Sequence, residues 1–188
     1  MTPCQFGSFT VLGLLLGFAT AAAAGDAVPA ALHGKTIVLA WTENRAQRAD
    51  SGEVKHSTTV SDFRVYVSSA GRLFSRFTRQ NNRSGRSSSS AMTPDGTIGF
   101  AGVGQGPRTT RFAGDQLISE NKMKSGARRV EADFASDFRS CSLRVIYGKE
   151  GSAPLYHRAM DGRMYTILST DVISPRCSIQ DGNLAADR

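Results

Sequence analysis

Histidine, cysteine and tryptophan are scarce in this chain: three, three and one among 188 residues. The scarcity removes several chemistries at once. There is no His-Glu-x-x-His run for a zinc peptidase and no Gly-x-Ser-x-Gly elbow for a hydrolase nucleophile. There is no Cys-x-x-Cys spacing either, and His157 is the only histidine near the two later cysteines, so zinc is discarded and no metal or cofactor is expected. His33, His56 and His157 read as structural or solvent-facing. The carboxylates Glu43, Asp50, Glu53, Asp115, Glu120, Glu131, Asp133 and Asp137 are scattered, and nothing in the sequence selects a pair for acid–base work.

Two further absences concern architecture. No apolar run long enough to span a membrane follows residue 24, and no segment keeps a sustained apolar period of 3.6. Helices are therefore expected only as short pieces, near Val28 to His33 or within Gly114 to Gly126. No internal repeat is visible. The glycine-rich stretch GTIGFAGVGQGPR (96–108) has the spacing Gly102-x-Gly104-x-Gly106, but Pro107 and the strand-like RTTRFAG follow, and no Lys-Ser/Thr is present. A phosphate cradle needs a helix N-terminus at that point. Bulges or tight turns in a curved sheet account for the glycines instead.

What is present begins with SFTVLGLLLGFATAAAA (8–24), an apolar run ending in small residues. Ala22 and Ala24 stand at the −3 and −1 positions of an A-x-A site, so residues 1–24 are read as a secretory signal peptide although no Lys or Arg precedes the run. Cys4 lacks a lipoprotein setting. The expected location is the periplasm or the exterior of a Gram-negative-type cell. Residues 25–188 form the single expected β-rich domain, a length at which a chain buries about 70% of its unfolded surface. They carry all 23 basic and 16 acidic residues and hence the net +7. That balance favours acidic partners, an anionic envelope polymer or lipid, and makes nucleic acid an unlikely one in that compartment. Cys141 and Cys177 are an even pair in an oxidising compartment and are expected to be bridged. Closing a loop of that length is worth roughly 3.5–4 kcal/mol in the chain-entropy picture.

The body reads as strands. TIVLAWT (36–42) is β-branched and apolar. DFRVYVSS places Phe63, Val65 and Val67 on one face, and Gly71 turns it into LFSRFTR. TTRFAGDQLIS turns at Gly114-Asp115. RRVEADF puts Val130, Ala132 and Phe134 on one face, and SCSLRVIYG does the same for Cys141, Leu143, Val145 and Tyr147. LYHRAM and RMYTILST flank Asp161-Gly162, a preferred type I′ pair. DVISPRCSIQ is interrupted by Pro175 and reads as an edge strand or two short pieces. The sum is an all-β, antiparallel meander of eight to ten strands, which is buried either in a closed or partly closed barrel or in a two-layer sandwich. Because the hairpins follow one another without a long crossover, the barrel is preferred. In this general shape the chain resembles the lipocalin-like barrels, with Trp41 on an early strand seven positions after Gly34, where that family has Gly-x-Trp. No site is carried over.

Two sets of residues are candidates for binding. SRFTRQNNRSGRSSSS (75–90) carries Arg76, Arg79, Arg83 and Arg86 in a polar tract, with a flexible loop expected near 80–95. If this arm grips an anion through its guanidiniums, the four arginines should form one exposed patch. Trp41 and Tyr66 would line a pocket if the barrel encloses one. The expected function is an exported, non-enzymatic binding or interaction module of the envelope. The alternatives are a carrier of a small apolar or amphipathic ligand, an envelope hydrolase, and a secreted inhibitor using an exposed loop.

Overall fold

The computed structural model describes residues 26–82, 87–89, 93–94, 105–123, 126–148, 156–158 and 162–186. The chain is all-β, with two antiparallel sheets. A 3-10 turn, Ala30–Leu32, drops Leu32 into the core and leads into β1 (Lys35–Ala49). The first sheet continues with β2 (Val54–Val67), β3 (Leu73–Asn81), β4 (Ser87–Ser89) and β5 (Thr93–Pro94). The second contains β6 (Gln105–Ala113), β7 (Gln116–Met123), β8 (Gly126–Phe134) and β9 (Cys141–Tyr147). The chain then returns to the first sheet as β10 (Tyr156–Arg158) and β11 (Met164–Asp181). The strand orders are β10-β11-β1-β2-β3-β4, with β5 also on β3, and β6-β7-β8-β9.

Alternation decides which side chains go inside. Ile37, Leu39 and Trp41 of β1, Phe63, Val65 and Val67 of β2, and Leu73 and Phe77 of β3 share the inner face of the first sheet. They meet Phe112, Leu117, Val130, Ala132 and Phe134 of the second sheet in one buried cluster. Each of these large side chains contributes roughly 1.5–3 kcal/mol by leaving water. The faces expected for β2, β8 and β9 are the faces observed. The segment 116–123 is strand β7, and the 3-10 turn falls where a short helix was expected.

The preferred barrel is corrected to a sandwich-like pair of sheets. A barrel closes only when its edge strands share a ladder. Among the described residues no ladder joins β9 to β11 or β6 to β4. The seam between β9 and β11 is instead held covalently by the disulfide Cys141–Cys177, with Cα atoms 5.5 Å apart. β11 is a single strand, not two pieces. Pro175, with no N–H to donate, lies where the β1 register slips between Ala40/Arg176 and Thr42/Ile173, and neighbouring Ser174 takes a positive φ of 51°.

Turns and register account for the remaining local features. An added Cβ on Gly71, at φ 73°, would come 3.2 Å from the His33 imidazole, so the β2–β3 turn needs glycine's backbone freedom and would press any side chain against His33. The pairing Arg158↔Met164 leaves the odd-numbered stretch 159–163 between β10 and β11, whereas a two-residue I′ turn leaves an even one. Gly162 has the left-handed φ of 81°, while Asp161 lies outside the described residues. Within the stretch expected as a flexible loop near 80–95, Ser87–Ser89 form β4 on Thr78–Gln80 of β3, and 83–86 and 90–92 lie outside the described residues. The β6 register is irregular between Gln105 and Arg108, at Gly106-Pro107; Gly102 and Gly104 lie outside the described residues, as does the expected signal peptide 1–24.

Candidate functional site: a buried arginine–glutamate cluster

The inner face of the first sheet changes character along β1. After Trp41 the next inward positions are Glu43, Arg45 and Gln47, and their β2 neighbours are Thr59, Ser57 and Lys55. One end of the interior is therefore apolar and the other polar. Glu43, only 1% exposed, is the hub of the polar end.

Its two oxygens are held differently. Oε1 accepts from Trp41 Nε1 at 3.0 Å and from the Tyr147 hydroxyl, with Arg128 Nη1 at 3.7 Å. Oε2 accepts from Arg79 Nη2 at 3.0 Å, with Arg45 Nη2 at 3.6 Å. Trp41 Nε1 also reaches the Tyr147 oxygen at 3.3 Å. Arg128 lies over the Phe77 ring, 4.7 Å from its centroid, and beside Trp41 at 5.9 Å. Four strands from both sheets thus build the cluster: β1 supplies Trp41, Glu43 and Arg45, β3 supplies Arg79, β8 supplies Arg128 and β9 supplies Tyr147.

An unpaired carboxylate in such a place would be neutral, because burial penalises charge heavily. Burial does push the Glu43 carboxyl upward, but the Arg79 charge, the Tyr147 hydrogen bond and the Arg128 charge outweigh it and hold the group below its ordinary range. Burial, then the Glu43 charge, push the Tyr147 phenol up to about 12. Burial lowers Arg128, and burial with repulsion from Arg79 lowers Arg45, although arginine keeps its proton in proteins. Three guanidiniums thus surround one carboxylate, leaving the cluster with more positive than negative charge. Among the described residues, the buried Nε atoms of Arg45, Arg79 and Arg128 have no hydrogen-bond acceptor.

The sequence-derived candidates separate. Trp41 and Arg79 both join this cluster. Arg76, an odd number of positions from Arg79 on the same strand, points to the opposite face, so the two do not share a patch. Tyr66 is on that outer face as well, with its ring 6.3 Å from Phe74. Arg83 and Arg86 lie outside the described residues. In the sequence Glu43 is one of many scattered carboxylates, and no motif marks Arg45, Arg128 or Tyr147. The signal that could have found Glu43 and Arg45 is parity: Trp41-x-Glu43-x-Arg45 continues the inward face of β1 beyond Thr42.

Two grooves lie elsewhere. One, of about 390 Å³, holds His56, Asn44, Thr58, Ser169 and Asp171 on the outer face of the first sheet. His56 and Ser169 flank Ala46 on its two sides, with their backbones two strand spacings or about 9–10 Å apart. The other, of about 730 Å³, lies along the disulfide seam between Val38, Ala40, Leu143 and Pro175. Neither is lined by aromatic rings. The rings fill the core instead, Trp41 to Phe77 at 5.9 Å and Phe112 to Phe134 at 5.9 Å. Among the described residues no group of three or more side chains is placed to hold a metal, and no helix is long and apolar enough to cross a membrane. Comparison of the chain with protein-family models, with curated proteins and with solved structures returned no match.

Proposed function

We propose that the chain is an exported, non-enzymatic binding module of the bacterial envelope whose partner is an acidic envelope component, polymer or lipid. The observation that carries the reading is the excess of arginine over carboxylate at the polar end of the interior, on top of the net +7 of the whole chain. Arg45 and Arg79 keep 17% and 27% of their side chains exposed, so this charge is open to solvent on one side. Packing of the aromatic rings against one another speaks against a carrier that needs an apolar cavity.

Heparin serves as the probe polyanion. At low salt the parent should bind and lose affinity steeply as salt rises, since exposed charges are screened over about 10 Å at 0.1 M. Arg45→Gln with Arg79→Gln should weaken binding far more than Arg48→Gln with Arg139→Gln, which removes the same charge from two exposed positions. Equal weakening by the two pairs would mean that heparin senses net charge alone, and the reading would fail.

A further inference from the structure

We infer that the cluster is a site for one oxyanion group of a ligand, a phosphate monoester or a carboxylate, seated on Arg45, Arg79 and Arg128 beside Glu43. The inference rests on the reading above and goes beyond it by naming the recognised group, its residues and a stoichiometry of one.

Glu43 does not use up the arginines. Its Oε1 is satisfied by two neutral donors, Trp41 and Tyr147, and its Oε2 by Arg79. Arg45 and Arg128, at 3.6 and 3.7 Å, are within ion-pair reach but outside hydrogen-bond range. Their forks are therefore held in place by the carboxylate without being filled by it. A buried donor with no acceptor is costly, and the Nε–H groups of all three arginines around Glu43 are in that state. Arg128 is the strongest case, since only 6% of its side chain is exposed. One carboxylate or phosphate offers two or three oxygens to such forks, the geometry guanidinium matches best. Exposure rises from Arg128 at 6% through Arg45 at 17% to Arg79 at 27%, which sets the deep end and the entry side. Trp41 and Tyr147 act as positioning residues: they hold Glu43 through Oε1, the oxygen nearest Arg128, and leave Oε2 to Arg79 and Arg45.

Inorganic phosphate and acetate, each titrated into the oxidised chain at constant ionic strength against chloride, test this by calorimetry. Trp41 is the only tryptophan and lies beside Arg128, so its fluorescence reports arrival of the anion independently. One phosphate or one acetate per chain is expected, with a change in Trp41 emission. Binding of phosphate alone would point to a phosphate monoester, and binding of acetate alone to a carboxylate. Arg45→Gln and Arg79→Gln should each weaken binding about tenfold or more, as loss of a charge-assisted hydrogen bond does, and Arg139→Gln should leave it unchanged. If the glutamine variants fold poorly, Arg79→Lys keeps the charge and loses the fork, and should weaken binding by less. No binding above chloride, or binding indifferent to Arg45 and Arg79, overturns the inference. Heparin binding that depends on these arginines without small-anion binding would sink the inference and leave the broader reading standing. The reverse result would sink the polymer-or-lipid reading alone.

Discussion

Arg128 and Arg129 are neighbours on β8 and belong to two different kinds of charge network. Arg129 points outward, where it pairs with Glu120 at 3.2 Å and with Glu131, which Arg144 also binds from β9 with its Nε at 2.7 Å. Two acids meet two bases there, and the arginines keep 39% and 62% of their side chains in water. Arg128 points inward, where three arginines meet a single glutamate and Arg128 itself is only 6% exposed. The outer ladder is balanced, and although Glu131 is only 4% exposed, its two arginines are partly hydrated, as expected of groups that secure strand pairing. The inner cluster is unbalanced and desolvated, which costs stability. The difference points to occupation from outside in the inner cluster and not in the outer one.

The sharpest way to break this comparison is to remove the charge of each hub. Glu43→Gln should cost about 3–5 kcal/mol, because it strands buried arginine charge without a counter-ion. Glu131→Gln should cost less, about 1–3 kcal/mol, because the carboxylate is buried while Arg129 and Arg144 keep 39% and 62% of their side chains in water. Urea unfolding midpoints of the two variants measure both, and equal losses would mean that the networks do not differ in kind.

The second effect is in alkali. Tyr147 holds its proton in the folded chain up to about 12, against about 10 for the free phenol. Between those values the unfolded chain ionises and the folded chain does not, so stability falls as pH rises. The loss attributable to this group should reach roughly 2–3 kcal/mol across the window. Tyr147→Phe should flatten that slope. An unchanged slope in the variant would place the phenol outside the buried network.

The smallest effect is on the outer ladder. Arg144→Ala should cost less than about 1 kcal/mol and should matter less at high salt, as for other exposed ion pairs. A larger, salt-insensitive loss would make the outer ladder as desolvated as the inner cluster.

Much of the fold was legible because alternation is local. Phe63, Val65 and Val67 in β2, or Val130, Ala132 and Phe134 in β8, display their faces wherever apolar and polar residues take turns. The same signal fails at Thr42. β1 continues to Ala49, but both of its faces are polar from Glu43 onward, so the period of two leaves no hydrophobic contrast to detect. Arg76 and Arg79 were grouped by proximity along the chain, whereas strand parity sends them to opposite faces.

By itself the sequence determined the antiparallel hairpins, the inward face of each amphipathic strand and a pair of cysteines available to bridge. Those properties follow from side-chain alternation and turn chemistry over a few residues. Only the tertiary structure decided that the edges stay open as two sheets, that β11 returns from the far end of the chain to pair with β1, and that Glu43 meets Arg79, Arg128 and Tyr147. Contacts of that kind depend on which strands become neighbours and which sheet faces meet, and on the disulfide that holds β9 against β11. No local pattern encodes that a carboxylate on β1 will find its counter-ions on β3 and β8, because the packing that brings them together is set by the whole core at once.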